Sequence, residues 1–180
     1  MKIRSVLIPA VALVFATASA AAQAPQAPVR QDSTGYEATL LTLRDSVAQV
    51  RAELSRFRRD LQMAGAQTVV GRARRLGTAC TGLRASLSAS SNRLRTPASA
   101  TPGVRSASRD LLTQMRRADQ LLAGDCERGL APEGPGVHAD SLKAWGPHRT
   151  SQLEKGLNEL DGAIAAFARA AEIELKPRLP

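Results

Sequence analysis

The sequence predicts an all-α protein: an antiparallel up-down-up-down four-helix bundle preceded by a signal peptide. Four segments place apolar residues at alternating steps of four and three, the spacing that lines one face of a helix. No segment shows the two-residue alternation of a half-buried strand. Aromatic residues make up only 3% of the chain, so the core must consist mainly of aliphatic side chains. Four similar stripes favour helices that enclose one common core, although an extended helical hairpin that dimerises is the alternative.

Residues 1–20 have the three-part layout of a secretory signal peptide. Lys2 and Arg4 supply the positive start, an apolar stretch follows, and residues 18–20 (Ala-Ser-Ala) form a cleavage site. The apolar stretch is short for a membrane span, so an uncleaved anchor is the less favoured reading. We therefore expect export to the periplasm or the extracellular space, followed by a flexible leader over residues 21–34 that is rich in Ala, Pro and Gln.

The first predicted helix covers residues 35–63 and has the most regular stripe. Thr34 and Glu37 have the spacing of a capping box at its start, and Gly65 stands where a helix would stop. The apolar stripe comprises Tyr36, Leu40, Leu43, Val47, Val50, Leu54, Phe57 and Leu61.

The second predicted helix covers residues 67–94 and repeats the same spacing. Pro97 closes it, because the residue before a proline avoids the helical region. Its stripe comprises Val69, Ala73, Leu76, Cys80, Leu83, Leu87, Ser90 and Leu94.

The third and fourth helices are predicted over residues 102–123 and 151–175, with a long loop over 124–150 between them. Thr101-Pro102 supplies a cap followed by proline at the first helical position. The loop is rich in Gly and Pro, and Gly146-Pro147 is expected to break any helical turn before residue 151. The third stripe contains Val104, Ala107, Leu111, Met115, Ala118 and Leu122, and the fourth contains Leu153, Leu157, Leu160, Ile164, Phe167 and Ala171.

Cys80 and Cys126 are the two cysteines of the chain. An oxidising compartment favours a disulfide between them. If Leu94 and Thr101 mark a shared level of the second and third helices, however, the two cysteines differ in height by roughly 16 Å at 1.5 Å per residue. An intramolecular disulfide, an intermolecular disulfide and two free thiols therefore remain open.

The chain is strongly basic, with a formal net charge of +9, and its basic residues are mostly arginine. The proposed topology gathers arginines near one end of the bundle. We call this candidate anion- or partner-binding set the arginine pole: Arg56, Arg58, Arg59, Arg72, Arg74, Arg75, Arg116 and Arg117. The alternative is a solvated face in which these arginines form ion pairs with interspersed carboxylates.

Partners of the arginine pole would be an anionic lipid surface or an acidic protein. Nucleic acid is disfavoured, because single-strand binders stack bases on aromatic side chains that this chain largely lacks. No transmembrane span is expected after the signal peptide is cleaved.

No cofactor or catalytic residue is predicted. Neither cysteine belongs to a Cys-x-x-Cys-His motif, so a covalent haem is not expected. Glu133, His138, Asp140 and His148 lie in the predicted loop and include residue types that bind metal. The sequence therefore favours an exported, non-enzymatic helical binding or structural protein. The alternative is a bundle that binds a small ligand or a metal through residues 124–150.

Overall fold

The computed structural model describes residues 33–63, 65–97, 99–128 and 139–175. These residues form four α-helices and one π-helical segment: α1 (Ser33–Met63), α2 (Ala66–Ser91), α3 (Pro102–Leu121), the π segment (Leu122–Arg128) and α4 (Ala139–Ala170). No strand occurs within these ranges, which confirms the all-helical prediction. The predicted signal peptide and the leader up to residue 32 lie outside the described residues.

The cores of α1 and α2 consist of the predicted stripes. Every apolar stripe residue of α1 is buried except Tyr36, which is half-buried against the core. All eight predicted stripe residues of the second helix are buried, including the small polar Ser90, although α2 ends at Ser91 and Leu94 lies three residues beyond it. One face of each helix therefore enters the common core, as the spacing of four and three requires.

α1 packs on both α2 and α4. Ser46 shares a hydrogen bond of 2.9 Å with Ser86 of α2. On the α4 side, the rings of Tyr36 and Phe167 meet edge to face, with their centroids 5.4 Å apart. Both pairs join a residue in the first half of α1 to a residue in the second half of its neighbour.

α4 begins 12 residues before the predicted start at residue 151, and the predicted break at Gly146-Pro147 is wrong. Helix continuation buries Ala139 and Leu142. A side chain at position 146 would place its Cβ 3.0 Å from Cδ1 of Leu61, so glycine permits the close approach of α4 to α1. Tertiary packing outweighs the backbone hydrogen bond that Pro147 cannot donate. The loop prediction for 124–150 is therefore wrong at both ends, and residues 129–138 lie outside the described ranges.

The C-terminal end of α4 also differs from the prediction. The helix ends at Ala170 rather than residue 175. Glu172 adopts a left-handed backbone with φ 55°, the conformation that commonly reverses the chain after a helix. The backbone N–H of Ile173 then donates to the carbonyl of Ala168 at 2.8 Å, and the Ile173 side chain returns to the core. Burial of Ile173 therefore ends the helix before Pro177 can do so.

Cys80 and Cys126 form an intramolecular disulfide, with their Cα atoms 6.4 Å apart. The expected height difference was too large because α2 and α3 do not share the level assumed for Leu94 and Thr101. The hydroxyl of Ser108 donates to the carbonyl of Leu94 at 2.7 Å, so Ser108, and not Thr101, lies level with Leu94. From this reference the two cysteines differ by only four helical residues, or about 6 Å. Cys126 lies inside the π segment, whose wider turns change the position of its residues relative to an uninterrupted α-helix.

Candidate functional site

Two arginines of the arginine pole are neutralised between α1 and α2. Arg72 donates through Nε to Asp60 at 2.8 Å and lies 3.8 Å from the carboxylate of Glu53. Arg56 pairs with the other carboxylate oxygen of Glu53. Arg56 and Arg72 therefore share Glu53: the pair with Arg56 lies within α1, whereas Arg72 joins α2 to α1.

The remaining arginines at this end of α1 and α2 divide into two kinds. Arg58 pairs with Glu154 of α4. Arg59, Arg74 and Arg75 are exposed, and none of them forms an ion pair with a described residue. At this end of α1 and α2, these three side chains carry the positive charge that no described carboxylate compensates.

Arg116 lies at a different level from the arginines of α1 and early α2. It lines a groove together with Arg84, which follows Arg75 in α2 by nine residues, and with Arg95, four residues beyond the end of α2. Arg117 is the next residue of α3 and is exposed. The structure thus separates Arg116 from Arg72 for the reason that brings the cysteines together: α3 is level with the later part of α2.

This groove runs between α2 and α3, which approach each other only sparsely, whereas α2 packs closely on α1 and α3 packs closely on α4. Its volume is about 820 Å³, within the range of ligand pockets. We call it the α2–α3 groove, and it is lined by Thr81, Arg84, Ala85, Leu87, Ser88, Ser91, Arg95, Leu112, Met115, Arg116, Asp119, Gln120 and Glu127.

The floor of the α2–α3 groove is apolar and its walls are polar. Leu87 and Met115 belong to the core and leave only 3% of their surface exposed, while Leu112 is half-buried. The hydroxyls of Ser88 and Ser91 line the α2 wall. A ligand in this groove would therefore meet an apolar strip flanked by hydrogen-bonding groups.

One end of the groove is closed by an ion cluster centred on Arg84. Its guanidinium donates to Asp119 at 2.8 Å and to Glu127 at 2.5 Å. The hydroxyl of Thr81 donates to Glu127 at 2.9 Å. The hydrogen bonds from Arg84 to Asp119 and to Glu127 raise the pKa of Arg84 above its already high value, and the bond to Asp119 contributes most. Arg84 is therefore charged throughout the physiological pH range and links α2 to α3 beside the disulfide.

Two further arginines of the groove have no such partner. Arg95 and Arg116 are exposed, and neither forms an ion pair within the described ranges. The Arg116 guanidinium donates only inside its own helix, to the carbonyl of Leu112 at 3.2 Å and to the Thr113 hydroxyl at 3.5 Å. Arg95 beside the α2 wall and Arg116 on the α3 wall thus each present a positive charge that no carboxylate of the described residues compensates.

Sequence reasoning missed Arg84, Arg95 and the groove itself. The sequence does contain a pattern that could have pointed to the groove. A second, polar stripe repeats the steps of three and four along α2 and just beyond it: Thr81, Arg84, Ser88, Ser91 and Arg95. Such a stripe is typical of any solvated helix face. Only the position of α3 makes it the wall of a groove.

The described part of the structure does not bring together the four residues that the sequence offered as metal ligands. Glu133 and His138 lie outside the described ranges. Asp140 and His148 are both exposed on α4, eight residues apart. Within the part of the chain that the structure describes, no group of three His, Cys, Asp or Glu side chains is arranged to hold a metal ion.

No described helix is both long enough and apolar enough to cross a membrane. Comparisons of the chain with models of protein families, with curated proteins and with solved structures found no match. Function must therefore be argued from the two arginine-bearing surfaces.

Proposed function

We propose that this chain is an exported, non-enzymatic helical protein that contacts anionic surfaces through the arginine pole. The observation that carries the proposal is that Arg59, Arg74 and Arg75 are exposed without an ion pair to any described residue, although Arg58 and Arg72 beside them are paired. Guanidinium groups that are not already engaged remain available for bidentate contacts with phosphate or carboxylate.

Export and architecture form part of the same proposal. The layout of residues 1–20 and the disulfide between Cys80 and Cys126 both suit an oxidising compartment outside the cytoplasm. The reversed order of the contacts between α1 and its neighbours supports an antiparallel up-down-up-down bundle. In that arrangement the end of α1 and the start of α2 share one end of the molecule, so Arg59, Arg74 and Arg75 present their charge there together.

Vesicle binding by the mature protein tests the pole. We expect it to bind phosphatidylglycerol vesicles, not to bind phosphatidylcholine vesicles, and to dissociate as salt is raised, because exposed charges are screened. Each basic residue near an anionic surface contributes about 1 kcal/mol. The combined substitution Arg59→Gln, Arg74→Gln and Arg75→Gln should therefore weaken binding by about 100-fold.

A matched control removes the same net charge elsewhere. Arg93, Arg109 and Arg169 are exposed and form no ion pair with the described residues, so their replacement by Gln leaves the pole intact. An equal loss of binding in both triple variants would show that only net charge matters and would contradict the proposal. Metal content and the visible spectrum of protein purified from its native compartment test the alternative of a metal or small ligand held by residues 124–150.

A further inference from the structure

The α2–α3 groove has a shape and chemistry that the arginine pole does not use. We propose that it binds an acidic amphipathic helix of a partner protein. None of Arg59, Arg74 and Arg75 lines the groove, so this inference goes beyond the proposed function and does not depend on it.

The first argument is shape. The helical part of the α2 wall extends from Thr81 to Ser91, which at 1.5 Å per residue is about 15 Å, the length of a helix of about 10 residues. The groove is open to solvent along its side, whereas small-ligand sites bury about 70–90% of their ligand. A helix laid lengthwise needs only one buried face, so an open groove of this length suits it.

The second argument is the apolar floor. Leu112 is the half-buried residue of this floor, and Leu87 and Met115 lie beneath it with 3% of their surface exposed. An apolar residue of a partner helix would pack on Leu112 between the two polar walls. The floor also belongs to the bundle core, so it is already held in place before a partner arrives.

The third argument is charge. Arg84 is already engaged by Asp119 and Glu127, but Arg95 on the α2 side and Arg116 on the α3 side are not paired with any residue in the described ranges. A partner helix with carboxylates on both sides of its apolar stripe would place one near each arginine. A basic helix would meet like charge on both walls. A flat lipid surface could not reach the concave floor.

Methyl NMR of the mature protein, labelled at methionine, tests this proposal directly. Met115 lies in the groove floor, whereas Met63 is 85% exposed at the end of α1 and serves as an internal control. The probe is a synthetic helical peptide of about 15 residues, with leucines at steps of three and four and glutamates on both sides of them. We expect the Met115 signal to shift on titration and the Met63 signal to stay unchanged.

Two control peptides separate the contributions of charge and pattern. Replacing every glutamate by glutamine should weaken binding, and scrambling the leucine and glutamate positions should abolish it. Charge reversal by Arg95→Glu and Arg116→Glu should weaken binding of the acidic peptide by at least about tenfold. The matched control, Lys155→Glu and Arg169→Glu, changes two exposed residues of α4 that line neither the groove nor the arginine pole and should leave its affinity unchanged.

Four results would overturn the assignment: no Met115 shift at peptide concentrations up to about 1 mM, equal binding of the scrambled peptide, no effect of charge reversal at Arg95 and Arg116, or the same Met115 shift with phosphatidylglycerol vesicles. The last result would assign the groove to lipid instead. Because the pole is tested with vesicles and Arg59, Arg74 and Arg75, failure of either proposal leaves the other open to its own test.

Discussion

The two sides of α2 are held to their neighbours in different ways. Towards α1 and the common core, α2 buries a continuous stripe that includes Leu76, Leu83 and Leu87. Towards α3 and the π segment that follows it, α2 is joined by the Cys80–Cys126 disulfide and by Arg84, and just past its C-terminal end Leu94 accepts a hydrogen bond from Ser108. Between these links the two helices separate to form the α2–α3 groove. Packing is distributed over the first contact, whereas the second depends on a few localised links.

This difference explains how the molecule contains a groove without losing its core. α3 packs mainly on α4, and its Leu111 and Met115 enter the common core. The disulfide and the ion cluster of Arg84 then set how far α3 stands from α2. Localised links leave the space between the helices free for a partner, which continuous packing would fill.

The largest effect is expected on the packed side. Phe57→Ala should lower the free energy of unfolding by about 3–5 kcal/mol, because Phe57 is fully buried and lies near the close approach of α4 at Gly146. Urea denaturation followed by circular dichroism measures the change. Met63→Ala, six residues later at an exposed position, should change it by less than about 0.5 kcal/mol. Similar losses in the two variants would contradict the assignment of Phe57 to the core.

Removal of the disulfide should have the next largest effect. Cys80 and Cys126 are separated by 46 residues, and closing a loop of that size stabilises by about 4 kcal/mol in the chain-entropy model. Cys80→Ala with Cys126→Ala should lower the free energy of unfolding by up to that amount. The wild-type protein with reductant present should behave in the same way. A denaturation midpoint that does not respond to reductant would show that packing, and not the cross-link, holds α3.

Two adjacent leucines of α3 allow the packed core and the open groove to be compared within one turn of helix. Leu111 is fully buried, whereas Leu112 is half-buried in the groove. Leu111→Ala should cost about 2–5 kcal/mol of unfolding free energy, and Leu112→Ala about 1–2 kcal/mol, because Leu112 keeps part of its surface in water after folding. Equal costs measured by urea denaturation would mean that the groove is closed in solution.

The smallest effect concerns the ion pair between Arg84 and Asp119. Their side chains are 34% and 43% exposed, so solvent screens the pair and its coupling should be about 0.5 kcal/mol in a double-mutant cycle of Arg84→Ala and Asp119→Ala. The coupling should shrink as salt is raised. A coupling above about 2 kcal/mol would place the pair in a drier environment than the open groove provides.

The sequence was enough to predict that the arginines of the pole are exposed, but it could not predict which of them are paired with a carboxylate. Arg59, Arg74 and Arg75 are exposed as helix periodicity requires. That Arg58 is neutralised while Arg59 is not depends on Glu154, which is 96 residues away along the chain. Sequence proximity carries no information about such a pair, and the proposed partner of the pole remains a prediction.

The sequence by itself determined the helical class and the buried faces of α1 and α2, because a repeat of 3.6 residues per turn is a local property of the backbone. Only the tertiary structure decided the level of α3 against α2, the extension of α4 through Pro147 and the opening of the groove. These features depend on contacts between residues that are distant in the chain, such as Ser108 with Leu94 and Gly146 with Leu61. Periodicity tells which face of a helix is apolar, but it does not tell how far one helix is displaced along another.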